Sequence, residues 1–302
     1  MDSREETAKA VGDEWGVPWS TDTRSAPLAW EAEAVAVVVP TRYHAEVAGH
    51  YLENGLDVLV EKPVTRTVEE AEELCRLAAQ HDRILQVGHI ERFNPALRAL
   101  EELGIEPRYI ESDRLAPFSF RSTDIGVILD LMIHDLDLLL TIVKSPIVDV
   151  EAFGGALFTP AEDIVSARLK FENGAVARVS ANRVALRPQR RMRMFSRDSY
   201  VSLDFGKRYG LIIKKAPGWD VQKLDVQAVD AENIQNLWKF VFDGLLNVRE
   251  LKMNETNPLE DELSAFVRSV RTRERPMVDG EAGLSALRAA YRVIEAVKEH
   301  RW

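Results

Sequence analysis

The stretch AVAVVVPTRYHAEVAGHYLENGLDVLVEKP, residues 34–63, decides the fold. Its first part, AVAVVVP (34–40), is a continuous apolar, largely β-branched run ended by Pro40, the pattern of a strand covered on both faces. AEVAGHYLENG (45–55) reads as a helix closed by Gly55, and DVLVEKP (57–63) as a second buried strand. Outward from there, Thr67 and Glu70 have the spacing of a capping box for the helix VEEAEELCRLAAQHD, and ILQVG (84–88) supplies a third strand. Strand, helix, strand, helix, strand predicts α/β architecture with a doubly wound parallel sheet of Rossmann type.

The pattern changes after about residue 105. A long apolar helix is followed by neighbouring strand-like runs, VDVEAFGGALF, IVSARLKFE, AVARVSANRV, RRMRMFS, SYVSLDF and YGLIIKK, with a hairpin turn expected at ENG (172–174). This predicts a second domain, residues 106–302, of α+β type with an open, largely antiparallel sheet. Its last helices, LEDELSAFVRSV and EAGLSALRAAYRVIEAVKEH, are expected to pack back on the first domain, residues 1–105. Residues 215–232 form the loosest region, expected as a loop or an edge.

Composition narrows the function. The 302 residues are 46% hydrophobic and 29% charged, as in an ordinary globular protein, and the formal charge of -10 argues against nucleic-acid binding. The N-terminal residues are polar rather than a basic stretch with an apolar core, and no uncharged run reaches the roughly 20 residues of a bilayer span. The cytoplasm is the expected location. The single cysteine, Cys75, sits in a helical stretch and reads as a small apolar filler, so neither a disulfide framework nor a cysteine-based metal site is expected.

The helix GVILDLMIHDLDLLL (126–140) is apolar on nearly every side, yet holds Asp130, His134, Asp135 and Asp137. Burying such groups is costly unless they are paired or shifted in pKa. Asp130, His134 and Asp137 stand at i, i+4 and i+7 and share one face. Two readings are open: an internally satisfied His–Asp pair, or a working site in which His134 carries a proton and Asp130 orients it or touches substrate. Asp135 points off this stripe and reads as a solvated or capping charge. Lys62 ends a buried strand, where ligands bind in open α/β sheets. Its ammonium there could donate to a hydroxyl, the alternative being a plain surface lysine. Arg92, Arg114 and Arg121 would together suit a diphosphate, although each alone is more often a surface charge.

Pro40 with His44 four residues on, Glu61-Lys62-Pro63, VGHIERFNP (87–95) and ILDLMIHDLDLL (128–139) stand in an order and spacing that resemble the Gfo/Idh/MocA family of NAD(P)-dependent oxidoreductases along nearly the whole chain. The resemblance implies NAD or NADP as cofactor, no metal, and a small-molecule sugar substrate. By it, Pro40, Thr41 and His44 lie in a loop beside the cofactor, although His44 could equally be a helix N-terminal residue with no ligand. Glu61 and Gln86 fall on the cofactor side, with Glu61 near the nicotinamide ribose. Lys62, Asp130 and His134 are the catalytic set, and His89, Arg92 and Asn94 follow the third strand toward the substrate. GHIERFNPA together with APFSFRSTDIGVILDLMIHDLDLLL looks most like the branch acting on nucleotide sugars such as UDP-N-acetylglucosamine, at the 3-position. A homodimer or homotetramer formed through the open sheet is also implied.

One motif departs from the family. No Gly-x-Gly-x-x-Gly turn occurs in the sequence, which resembles the family from the end of its second strand onward. Asp2 falls where the ribose-binding acid belongs, with Arg4 close to it. The expectation is a Rossmann domain lacking its first strand and glycine-rich turn, with weak dinucleotide binding and an open edge. A non-catalytic scaffold or partner-binding remnant of the family is the competing reading.

Overall fold

A computed structural model describes residues 1–119, 125–215, 246–253 and 256–300. They form two compact units: residues 1–89 with 260–288, and residues 90–259 with 289–302.

In the first unit, β1 (Ala34–Val37), β2 (Asp57–Glu61) and β3 (Leu85–Gly88) make a parallel sheet in the order β1-β2-β3. Val37, Val58, Val60 and Val87 are buried along one face, and Leu59 and Gln86 are buried on the other. At the edge strand β1 that second face is open, with Ala36 and Val38 exposed, so coverage on both faces holds for β2 and β3 but not for β1 as expected. Helices α1 (Glu5–Trp15) and α2 (Ala26–Ala29) precede the sheet, and α3 (His44–Glu53) and α4 (Val68–Gln80) make its crossovers. The capping box at α4 forms as its spacing predicts. Thr67 accepts from the Glu70 N–H at 3.3 Å, and the Glu70 carboxylate accepts from the Thr67 N–H at 3.2 Å. Gly49 lets α3 approach α4, since a Cβ there would already be in contact with Leu74 and Leu77. Below the sheet, Phe266 packs with Leu59 and Ile84. Its helix is α7 (Pro258–Thr272), followed by α8 (Gly280–Glu299).

The second unit holds an eight-stranded sheet in the order β11-β10-β9-β8-β4-β7-β6-β5. In chain order the strands are β4 (Tyr109–Leu115), β5 (Ile147–Gly155), β6 (Ile164–Phe171), β7 (Val176–Asn182), β8 (Gln189–Phe195), β9 (Ser199–Asp204), β10 (Tyr209–Lys215) and β11 (Leu246–Glu250). All neighbours are antiparallel except β4 and β7. The turn at Glu172–Gly174 links β6 to β7, with Gly174 at φ +83°, where a side chain would be strained. One face buries Val165, Leu169, Val179, Met192, Met194 and Leu203. On the same unit, Ile128, Met132, Ile133, Leu136 and Leu139 of the apolar helix are buried. That helix opens with a π-helical turn, Ile128–Met132, and continues as α6 (Ile133–Val143).

The sequence reading missed β4 and β11. It also ended the first domain at 105, whereas the turn Ile90–Phe93 and helix α5 (Pro95–Glu101) belong to the second unit. Arg92 and Asn94 hold them there, bonding to Asp137 and to the Phe205 carbonyl. Most of the loose region 215–232 lies outside the described residues.

Candidate active site

In the first unit the carboxyl ends of three parallel strands line up, with Val37 beside Val60, Val60 beside Val87 and Glu61 beside Gly88. Just past them come Pro40 and Thr41, then Glu61-Lys62-Pro63, then Gly88-His89. Gly88 permits the closeness of the last two, because a Cβ on it would lie 3.2 Å from the Glu61 Cα and 3.0 Å from its carboxylate. The Lys62 N–H donates back to that carboxylate at 3.3 Å, and the Lys62-Pro63 peptide is cis.

His44 is buried beneath these loops. Its Nδ1 lies 2.9 Å from the Pro63 carbonyl and its Nε2 2.9 Å from that of Val39. Both ring nitrogens thus face backbone carbonyls, one in each loop; a neutral imidazole donates to one of the two, and neither nitrogen is open to a ligand. Gln86 is fully buried; its amide donates to the Glu262 carbonyl at 3.2 Å, and its Oε1 has no hydrogen-bond partner among the described residues. His89 is buried as well. Asp2 accepts from the Arg4 N–H at 2.8 Å, with the Arg4 guanidinium 3.6 Å away, so the two begin α1 as a local pair.

Sequence reasoning missed Glu262, on α7. Its side chain is 1% exposed, its Oε1 has no partner among the described residues, and burial together with the Glu61 carboxylate pushes its carboxyl up to about 7. The apolar spacing of Leu259, Leu263, Phe266 and Val270 places Glu262 at the margin of the expected inner face. The structure rotates the helix toward that margin, leaving Leu259 and Leu263 exposed and Glu262 inside. Burial pushes the Cys75 thiol up to about 12, which suits a filler and not a nucleophile.

In the second unit, the four charged side chains of the apolar helix divide two and two. Asp137 takes Arg92 bidentately, at 2.7 and 2.8 Å. Asp135, read from the sequence as a solvated or capping charge, is instead 3% exposed. It accepts from the Ser112 hydroxyl at 2.7 Å and from Arg114 Nε at 2.5 Å. The π-turn and the inward row of β4 turn this face toward the sheet, where Asp135 meets those two side chains. Arg114, itself 4% exposed, also donates to Glu91 at 3.0 Å. Burial works against its charge, but Asp135 and Glu91 outweigh that and raise its pKa. Arg92 and Arg114, expected to grip a diphosphate, are therefore engaged with carboxylates of their own chain. Arg121 lies outside the described residues. Asn94 caps α5, accepting from the Ala96 N–H at 3.1 Å and donating to Glu91 at 3.0 Å.

Asp130 and His134 are the other two, both half-buried, one on the π-turn and one on the first turn of α6. Four residues apart, they stand on one face of the helix, where an imidazole and a carboxylate would suit general acid–base chemistry. Among the described residues no group of three or more His, Cys, Asp or Glu could hold a metal ion, and no helix is long and apolar enough to cross a membrane.

Ligands of open α/β sheets bind at such strand ends. Here the Glu61 carboxylate occupies the space over Gly88, and Lys62 follows it at the end of β2. The pyrophosphate cradle has no counterpart of Gly-x-Gly-x-x-Gly form in the sequence.

Comparison with known proteins agrees with this arrangement. A model described as an oxidoreductase family with NAD-binding Rossmann fold matches residues 1–89, and one described as the GFO/IDH/MocA C-terminal domain matches residues 108–199. UDP-N-acetylglucosamine 3-dehydrogenase of Acidithiobacillus ferrooxidans is 36% identical over 271 residues, 89% of this chain and 80% of that protein. A solved structure of that enzyme matches with a TM-score of 0.84 at 34% identity, over 97% of this chain and 87% of the other. The NAD(+)-dependent scyllo-inositol 2-dehydrogenase of Bacillus subtilis is 30% identical over 195 residues, 59% of this chain and 57% of its own. With the strand-end site, the acid–base helix and both domain models in one chain, the protein belongs to the Gfo/Idh/MocA family of oxidoreductases and carries its NAD-binding Rossmann domain.

Proposed function

We propose that this protein is an NAD(P)-dependent dehydrogenase of a nucleotide sugar, oxidising a ring hydroxyl of the kind found at the 3-position of UDP-N-acetylglucosamine. The observation that carries the reading is the presence of Lys62, Asp130 and His134 in a chain 36% identical over 271 residues to an enzyme of that activity. The bound dinucleotide supplies the hydride acceptor. The chain's own residues handle the proton: the hydroxyl O–H is deprotonated by His134 or by neutral Lys62 as the carbon gives up its hydride and the C=O bond forms. Asp130 orients the imidazole or the sugar. Glu61 and Gly88 set the backbone against the nicotinamide end, and Pro40 and Thr41 border it. The scaffold reading is not favoured, because this set of acid–base groups has no use without a reaction. A cytoplasmic homodimer or homotetramer, associating through the exposed face of the eight-stranded sheet, completes the proposal.

The test is a substrate screen. UDP-sugars, free sugars and inositols are offered with NAD⁺ or NADP⁺, and reduced cofactor is followed by absorbance. Turnover is expected chiefly with UDP-sugars. Turnover of an unphosphorylated polyol in their place would overturn the nucleotide-sugar assignment while leaving the family untouched.

A further inference from the structure

Among the described residues, two fully buried polar atoms in one corner of the first unit, Glu262 Oε1 and Gln86 Oε1, have no hydrogen-bond partner. The Gln86 amide ties the corner together by donating to the Glu262 carbonyl, and the Glu61 carboxylate adds its field to it. Neither of these two acceptors has a donor among the described residues, while the half-buried Glu61 carboxylate takes the Lys62 N–H at 3.3 Å. An unmade hydrogen bond in such a place is expensive, and a second negative charge beside Glu61 is more so. One proton on Glu262 removes both problems, turning an orphan acceptor into an O–H donor aimed at its neighbours. The charged groups around the corner are Glu61 and Lys62 at the end of β2, Glu260 and Asp261 on α7 itself, and Asp279, which bridges to Gln86 and is paired with Arg275.

We propose that Glu262 is a positioning residue of the cofactor site: as a neutral acid it donates its proton to Glu61 and holds the Glu61-Lys62 strand end in its binding conformation. This rests on the reading of that strand end as the nicotinamide site. When Glu262 ionises, the two carboxylates repel and the strand end loses its anchor. The competent fraction then falls as pH rises, and apparent cofactor affinity falls with it.

Two measurements on the full chain, made across pH 5–9, test this. NADH binding is followed by fluorescence titration and stability by thermal melting, for the parent, Glu262→Gln and Glu262→Leu. Glutamine keeps a donor and never ionises, whereas leucine has neither property. The parent is expected to lose about tenfold in NADH affinity between pH 6 and pH 8, with a midpoint near the value of about 7 to which Glu262 is raised. Glu262→Gln should hold the low-pH affinity throughout, and Glu262→Leu should bind weakly at every pH. The raised carboxyl also fixes the direction for melting. Its contribution is complete below the ordinary carboxylate range and lost as pH rises through about 7, so the parent should drop several degrees relative to Glu262→Gln over that window. Parallel melting curves for parent and Glu262→Gln would overturn the proton-sharing pair, whatever NADH does. Diverging melting curves with pH-independent NADH affinity would overturn the positioning role. Diverging melting curves with no NADH binding at any pH would keep the pair and defeat the cofactor-site reading instead.

Discussion

His134 and Asp135 are neighbours in sequence with opposite fates: helical spacing puts them on different faces, but it does not say that the face of Asp135 is the one turned inward. One is half-buried on the candidate catalytic face; the other sits inside an ion pair with Arg114. The stripe of Asp130, His134 and Asp137 was legible from its spacing, but which member meets a guanidinium depends on Arg92, some forty residues earlier. For the same reason three arginines that look alike as sequence are not equivalent: two are spent on internal carboxylates. The residues proposed to carry the chemistry are Lys62, Asp130 and His134. We expect Lys62→Met and His134→Ala each to lower kcat by roughly 10²–10⁴, the usual contribution of acid–base groups. NADH affinity should barely change for His134→Ala. Near-parental turnover of both variants on the substrate identified by the screen would remove them from the proton path.

Among the elements, the first three strands and their helices were legible from their apolar runs, although only β2 and β3 are covered on both faces. β4 was not. It lies between β7 and β8, yet its inward positions include Ser112 and Arg114, so the alternation that marks a half-buried strand is broken by a charge. Arg114 is tolerated there because Asp135 and Glu91 come from two other elements to meet it. Removing one partner strands the other. Asp135→Asn should therefore destabilise the protein by about 3–5 kcal/mol in urea unfolding, whereas replacing the pair together, Arg114→Met with Asp135→Leu, should recover most of that loss. An unchanged midpoint for Asp135→Asn would show the pair to be energetically idle. The π-turn at Ile128–Met132 was equally hidden: its apolar spacing serves an α-helix as well, and only packing against the sheet selects it.

At the scale of the whole molecule, the family and the two-part architecture were readable from motif order, since spacing survives where individual contacts do not. The state of association was not. The exposed face of the large sheet carries Phe195 between Tyr109 and Tyr200, with ring centroids 5.7 and 5.0 Å away. The ion pairs Arg178–Asp113 and Arg193–Glu111 lie beside these rings. Light scattering should report a dimer or tetramer, and Phe195→Glu should shift it toward the monomer; a parent that is monomeric at micromolar concentration would rule the face out. The first unit is also discontinuous, built from residues 1–89 and 260–288. Phe266, Glu262 and the Val278 carbonyl that takes the Val87 N–H all come from the second segment. A ribosome adding 5–20 residues per second needs roughly 10–30 s to synthesise the stretch between them. For that interval the nascent chain exposes a half-covered parallel sheet, which is a binding target for chaperones. The second unit waits as well, for residues 289–302, so the half that emerges first gains no head start from its place in the chain.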